Sequence, residues 1–158
     1  QAALTAGDAE KALEHFNLAM ETPDRLGEKY HLLQAKADVT FWQGMALRAL
    51  NREAEALAKF EAAAAESGDF QGMAVTAFSE LTVFKALALR ELGRDEEART
   101  VLEAMVAYAE AELGIPARID YFATSLPNLL VFEEDIQESK KSQMRHLLQL
   151  ANENLNPR

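Results

Sequence analysis

The sequence predicts an all-α chain, an α-α superhelix of antiparallel helix pairs with long helices and an irregular C-terminal capping segment. Three observations lead there. The phrase ALRALNREAEA at residues 46–56 returns as ALRELGRDEEA at 88–98, shifted by 42 residues and identical at seven of eleven positions. The apolar residues that follow each copy recur at helical spacing. A residue that tolerates a left-handed backbone stands at the centre of each copy, Asn51 and then Gly93, and Gly7 holds the same place in a third, partial copy 44 residues before Asn51.

Taken in order, the chain divides into a partial repeat at 1–22, a repeat at 23–67, a second at 68–114, and a capping segment at 115–158, all within one helical domain. The second helix of each unit is amphipathic. Ala56, Leu57, Phe60, Ala63 and Ala64 mark the buried face in one copy. Ala98, Val101, Leu102, Met105, Val106, Ala109 and Leu113 mark it in the next. The first helix differs. From Val75 to Leu92 the apolar residues point nearly all round, so that helix is covered on more than one side. Asp24 and Asp69 are read as N-caps of these inner helices. They lie 45 residues apart, against 42 at the helix ends, so the first inner helix is expected to be about three residues longer.

Gly114 and Pro116 then stop the repeat. A helix is expected over 118–124, and an irregular crossing through SLPNLLVFEED, whose Leu129, Leu130, Val131 and Phe132 pack on the preceding pair. A last helix is expected from Glu138 to Leu155, with Met144, Leu147, Leu148 and Ala151 on one face.

The alanine–aromatic–alanine sets behind a Gly-containing turn resemble the tetratricopeptide repeat. The resemblance rests on Gly44 and Ala86; on the turn residues Gly7, Asn51 and Gly93; on Ala12, Ala56 and Ala98; on Phe16, Phe60 and Leu102; and on Ala19, Ala63 and Met105. It spans roughly residues 4–113 and departs from the family in its period of 42–44 residues, against about 34. Leu47 and Leu89 also stand where a tyrosine is common, and the first unit lacks its own first helix. The segment YFATSLPNLLVFEEDIQ is similar to one near the end of certain bacterial tetratricopeptide proteins that carry β-sandwich regions upstream. With Gln1 as the first residue, these readings lead us to expect the C-terminal part of a larger bacterial protein.

Composition narrows the chemistry. A net charge of −10 is the wrong sign for gripping phosphate, so no nucleic-acid partner is expected. No apolar run is long enough to span a membrane, and no signal peptide is visible. With no cysteine there is no disulfide or thiolate chemistry, and a cytoplasmic location fits. The three histidines, His15, His31 and His146, share no metal-ligand spacing, and Glu28 with His31 is a lone pair one turn apart. Glu133, Glu134 and Asp135 lack the alternation and glycine of a calcium loop. No phosphate-binding or nucleophile motif appears. No enzyme and no cofactor are expected.

What remains is a surface. The resemblance implies a concave face lined by Asp38, Phe41, Met45 and Arg48 from one inner helix and by Glu80, Val83, Leu87 and Arg90 from the next. This is an apolar strip bounded by an acid and an arginine in each repeat, and it suits a protein or peptide partner. The bland alternative is that the four apolar residues are core, covered by the C-terminal segment. The lysine–asparagine clamp that some family members use on a peptide's C-terminal carboxylate is absent. The expected function is a non-catalytic interaction scaffold; the alternative is an accessory helical domain of a carbohydrate-active enzyme. Self-association through Leu4, Leu13 and Phe16 at the truncated end is a third reading.

Overall fold

The computed structural model describes residues 1–21, 35–71, 74–117 and 136–156. Within them the protein is mostly helical. The elements are α1 (Ala2–Thr5), α2 (Ala9–Met20), α3 (Ala37–Ala49), α4 (Glu53–Ala65), a short antiparallel hairpin of β1 (Asp69–Gln71) and β2 (Ala74–Thr76), α5 (Thr82–Glu91), α6 (Asp95–Leu113) and α7 (Ile136–Leu155).

The duplicated phrase builds a duplicated turn. At the end of α3, Arg52 N–H donates to the Leu47 carbonyl and Asn51 N–H to the Arg48 carbonyl, both at 2.9 Å. At the end of α5, Arg94 N–H donates to Leu89 and Gly93 N–H to Arg90, both at 2.8 Å. The same pair of bonds closes α1 through Asp8 and Gly7. This is the Schellman closure, which needs positive φ at its central residue. Gly7, Asn51 and Gly93 supply it at 83°, 58° and 73°. The chain reverses within three residues, and the next helix packs back on the one before. Asp8 also caps α2, accepting from Lys11 N–H at 3.1 Å.

The outer helices bury the faces their spacing indicates. Ala56, Phe60, Ala63 and Ala64 of α4 are buried, as are Ala98, Leu102, Met105 and Ala109 of α6. Phe60, Leu102 and Met105 are the largest fully enclosed side chains. Each contributes about 1.5–3 kcal/mol of hydrophobic free energy. Leu57 departs from the expected face and stays exposed on α4.

Phe60 fits because its neighbour has no side chain. A Cβ placed on Gly44 would lie 2.6 Å from the Phe60 ring. In the next unit the corresponding pair is Ala86 and Leu102, both fully buried. The larger ring goes with glycine and the smaller leucine with alanine, so the two units fill one space with different volumes.

The helices pack in a regular order. α3 lies against α2, α4 and α5, while α5 lies against α4 and α6. α7 continues the order, packing on α6 and touching α5. Lys140 at its start pairs with Glu112 at the end of α6 at 2.8 Å, so α7 runs antiparallel to α6. Met144, Leu147 and Ala151 are its buried positions, with Leu148 partly buried beside them, on the face the sequence indicates.

The approach to α5 corrects the sequence reading. Asp69 is no N-cap: it lies in β1, and its carboxylate accepts from Ala35 N–H at 3.0 Å, ahead of α3. Val75 lies in β2 and is exposed, and α5 begins only at Thr82. The helix starts there because Ser79 and Thr82 cap it together. Ser79 N–H donates to Thr82 Oγ1 at 3.0 Å, and Leu81 N–H donates to Ser79 Oγ at 3.2 Å. α3 is 13 residues long and α5 is 10, a difference of three that does not arise from the expected caps. Asp24, Glu28, His31, the expected helix at 118–124, Leu129 to Phe132 and the Glu133–Asp135 cluster lie outside the described residues.

Candidate functional site

Of the eight residues expected to line a concave face, Phe41 and Val83 belong to the core, at 5% and 6% exposed. Phe41 is wedged among aromatic rings, with centroids 5.3 Å from Trp42, 5.7 Å from Phe60 and 5.9 Å from Phe84. Asp38, Met45 and Leu87 are half-buried, with Met45 and Leu87 packed on the edge of the core. Glu80 is exposed, and His146 of α7 reaches toward it at 3.6 Å.

The two arginines, for which the sequence offers no firm structural reason, both have one. The Arg48 guanidinium lies 4.6 Å from the centroid of the Phe60 ring. It donates to Glu53 at 3.3 Å and makes a close ion pair with Glu91, the last residue of α5. Arg90 donates to the Asn154 carbonyl in the last turn of α7. Each arginine therefore reaches from its own inner helix to the C-terminal end of the next helix in that position. There it meets acceptors that a helix terminus leaves open. α7 stands to α5, in this respect, as α5 stands to α3. It also meets the Arg90 end of the expected face, while Glu80 stays exposed beside His146, so the rest of that face is centred on Asp38, Met45 and Leu87.

A second feature was not visible in the sequence. A cavity of about 330 Å³ lies between the end of α4, the start of α3, the approach to α5 and the middle of α6. Its polar end is built around Glu66. The Glu66 carboxylate accepts from Lys36 N–H at 2.7 Å, while its backbone carbonyl accepts from Lys85 Nζ at 2.7 Å. Burial pushes the Glu66 carboxyl above the ordinary carboxylate range, and the nearby Asp38 and Asp69 add to it, against the opposing pull of the Lys36 and Ala37 N–H groups. A larger, shallower cleft lies between α2 and the end of α3, beside Leu13, Asn17 and Leu50.

Among the described residues no group of three or more His, Asp or Glu side chains is placed to hold a metal ion. Nor is any helix among them long and apolar enough to cross a membrane. His15 and His146 are both exposed. Among the described residues, two buried polar atoms, Trp42 Nε1 and Gln43 Oε1, find no partner, although Gln43 Nε2 donates to Asn17 Oδ1 at 2.8 Å. They lie on α3, where α2 packs. No family model, curated protein or solved structure matches the chain.

Proposed function

We propose that the chain is a non-catalytic scaffold module of tetratricopeptide type that binds a protein or peptide partner along its inner helices. The observation that carries this reading is the repetition of one packing unit. The same Schellman turn, the same spacing of buried positions (Ala56, Phe60 and Ala63, then Ala98, Leu102 and Met105) and the same inter-helix arginine occur twice in succession. Repeated helix pairs present equivalent surfaces side by side, and such surfaces act by binding. The open part of the inner face gives the partner two apolar footholds, Met45 and Leu87, beside the acidic Asp38.

The test is site-specific photo-crosslinking in cells, with benzoylphenylalanine placed in turn at Met45, Leu87 and the outer-face Leu57. A discrete protein adduct from Met45 and Leu87, and none from Leu57, is expected. Adducts from Leu57 alone, or from no position, remove the assignment.

A further inference from the structure

The cavity between α4 and α6 has the make-up of a receptor for one amphipathic side chain. Its walls are apolar, formed by Ala37, Phe78, Leu81, Val101 and Ala104. The Phe78 ring is backed by Tyr108, with centroids 5.3 Å apart and planes at 45°, which holds an aromatic surface toward the space. The opposite end is polar. The Lys85 ammonium has three N–H donors, and the Glu66 carbonyl takes one. Thr82 Oγ1 accepts from Ser79 N–H and still has its own hydroxyl proton to give. At about 330 Å³ the space is near the lower limit of ligand pockets, roughly 300–1,000 Å³, which favours a single ring system over a larger molecule.

The surroundings are acidic. Residues 67–114 carry nine acidic and four basic side chains. On α6, Glu96 and Glu103 are exposed within one turn on either side of Thr100, which lines the cavity. Arg99 is paired with Glu103 at 2.8 Å, and Glu66 follows the end of α4 at the cavity's polar end. Cationic residues flanking an inserted ring would meet complementary charge.

We propose that this cavity receives a tyrosine side chain of a partner peptide whose neighbouring residues are lysine or arginine. The ring lies against Phe78 and Val101. Its phenol oxygen accepts from Lys85 Nζ and Thr82 Oγ1, while the flanking cations face the exposed Glu96. This goes beyond the scaffold reading. It adds an anchor beside the hairpin to the contacts of the inner face.

The experiment uses the isotope-labelled chain and amide chemical shifts, with acetyl-Lys-Tyr-Lys-amide as probe. Shifts are expected at Thr82, Lys85, Val101 and Ala104. Acetyl-Lys-Ala-Lys-amide is expected to bind about tenfold or more weakly, since the ring is the anchor. Acetyl-Glu-Tyr-Glu-amide is expected to bind more weakly at low salt, with the difference shrinking as salt is added. Ala104→Phe fills the cavity from an exposed helix position and is expected to abolish the shifts while leaving the melting temperature near that of the wild type. If that variant proves unstable, Val101→Thr, which makes the wall polar, gives the same readout through weaker binding. Equal binding of the Tyr and Ala probes, undiminished binding by the cavity variants, or no shift at millimolar probe overturns the proposal. Shifts around Met45 and Leu87 instead also overturn it, but leave the inner-face scaffold reading intact.

Discussion

Gly44→Ala adds one methyl group at the point where the two inner-helix repeats differ most. The new Cβ would lie 2.6 Å from Phe60 Cε1 and 2.9 Å from two further ring carbons. Such contacts require the ring to move. The ring is fully buried, with Phe41 at 5.7 Å and the Arg48 guanidinium at 4.6 Å. Overpacking of this kind costs about 1–3 kcal/mol. Replacing glycine by alanine inside a helix returns up to about 1 kcal/mol. With the full return, the net expectation is a loss of up to about 2 kcal/mol, or up to roughly 8 °C in Tm at this chain length. The discriminating assay is a double-mutant cycle with Phe60→Leu, read by chemical denaturation. The double variant recreates the Ala86–Leu102 pairing, so the two losses are expected to fall short of adding by about 0.5 kcal/mol or more. Strict additivity, or a stabilised Gly44→Ala single variant, would refute the claim that glycine is there to admit the ring.

Glu66→Gln keeps an acceptor for Lys36 N–H and removes the charge. Because the folded carboxyl lies above its ordinary range, its contribution is most favourable below the unfolded value, near pH 4, and is lost as pH rises through the folded value. The variant is therefore expected to gain stability relative to wild type on going from pH 4 to pH 7, as read by thermal melts; a relative loss over that range contradicts the burial argument. Glu66→Ala, which also removes the cap on α3, is expected to melt below Glu66→Gln at both pH values. Arg52→Ala and Arg94→Ala delete the exposed pairs with Glu55 and Glu97, at 2.6 Å in both turns, and are expected to leave Tm unchanged despite their good geometry. Ser79→Ala removes the acceptor for Leu81 N–H and is expected to cost about 1 kcal/mol, with faster amide exchange confined to the start of α5.

The outer helices were legible because each buries a single face. Ala98, Leu102, Met105 and Ala109 follow one stripe, and water on the other side keeps that stripe clean. The turns were legible because Gly7, Asn51 and Gly93 sit where only a few residue types are tolerated. The start of α5 was not. Apolar residues such as Val75 and Phe78 suit a strand, a loop wall or a buried helix alike, and the Ser79–Thr82 cap was the local signal that separates them. Asp69 has the chemistry of a cap but spends its carboxylate on Ala35, a partner 34 residues away. Arg48 and Arg90 gave no sign of their roles, because the acceptors, Glu91 and the Asn154 carbonyl, belong to other helices. The cavity gathers residues from Ala35 to Ala104, and nothing in its local sequence marks it.

The central claim is that the repeated phrase encodes repeated packing, with each arginine fastening the end of the next inner helix. Amide hydrogen exchange on wild type, Arg48→Ala and Arg90→Ala tests it directly. Losing a hydrogen bond from a charged donor costs about 1–2 kcal/mol at such partly exposed sites, a five- to thirtyfold change in protection. Arg90→Ala is predicted to speed exchange in the last turns of α7 and leave the end of α5 protected. Arg48→Ala is predicted to speed exchange at the end of α5. Unchanged protection in both variants, or the same loss spread evenly over all helices, would contradict the account.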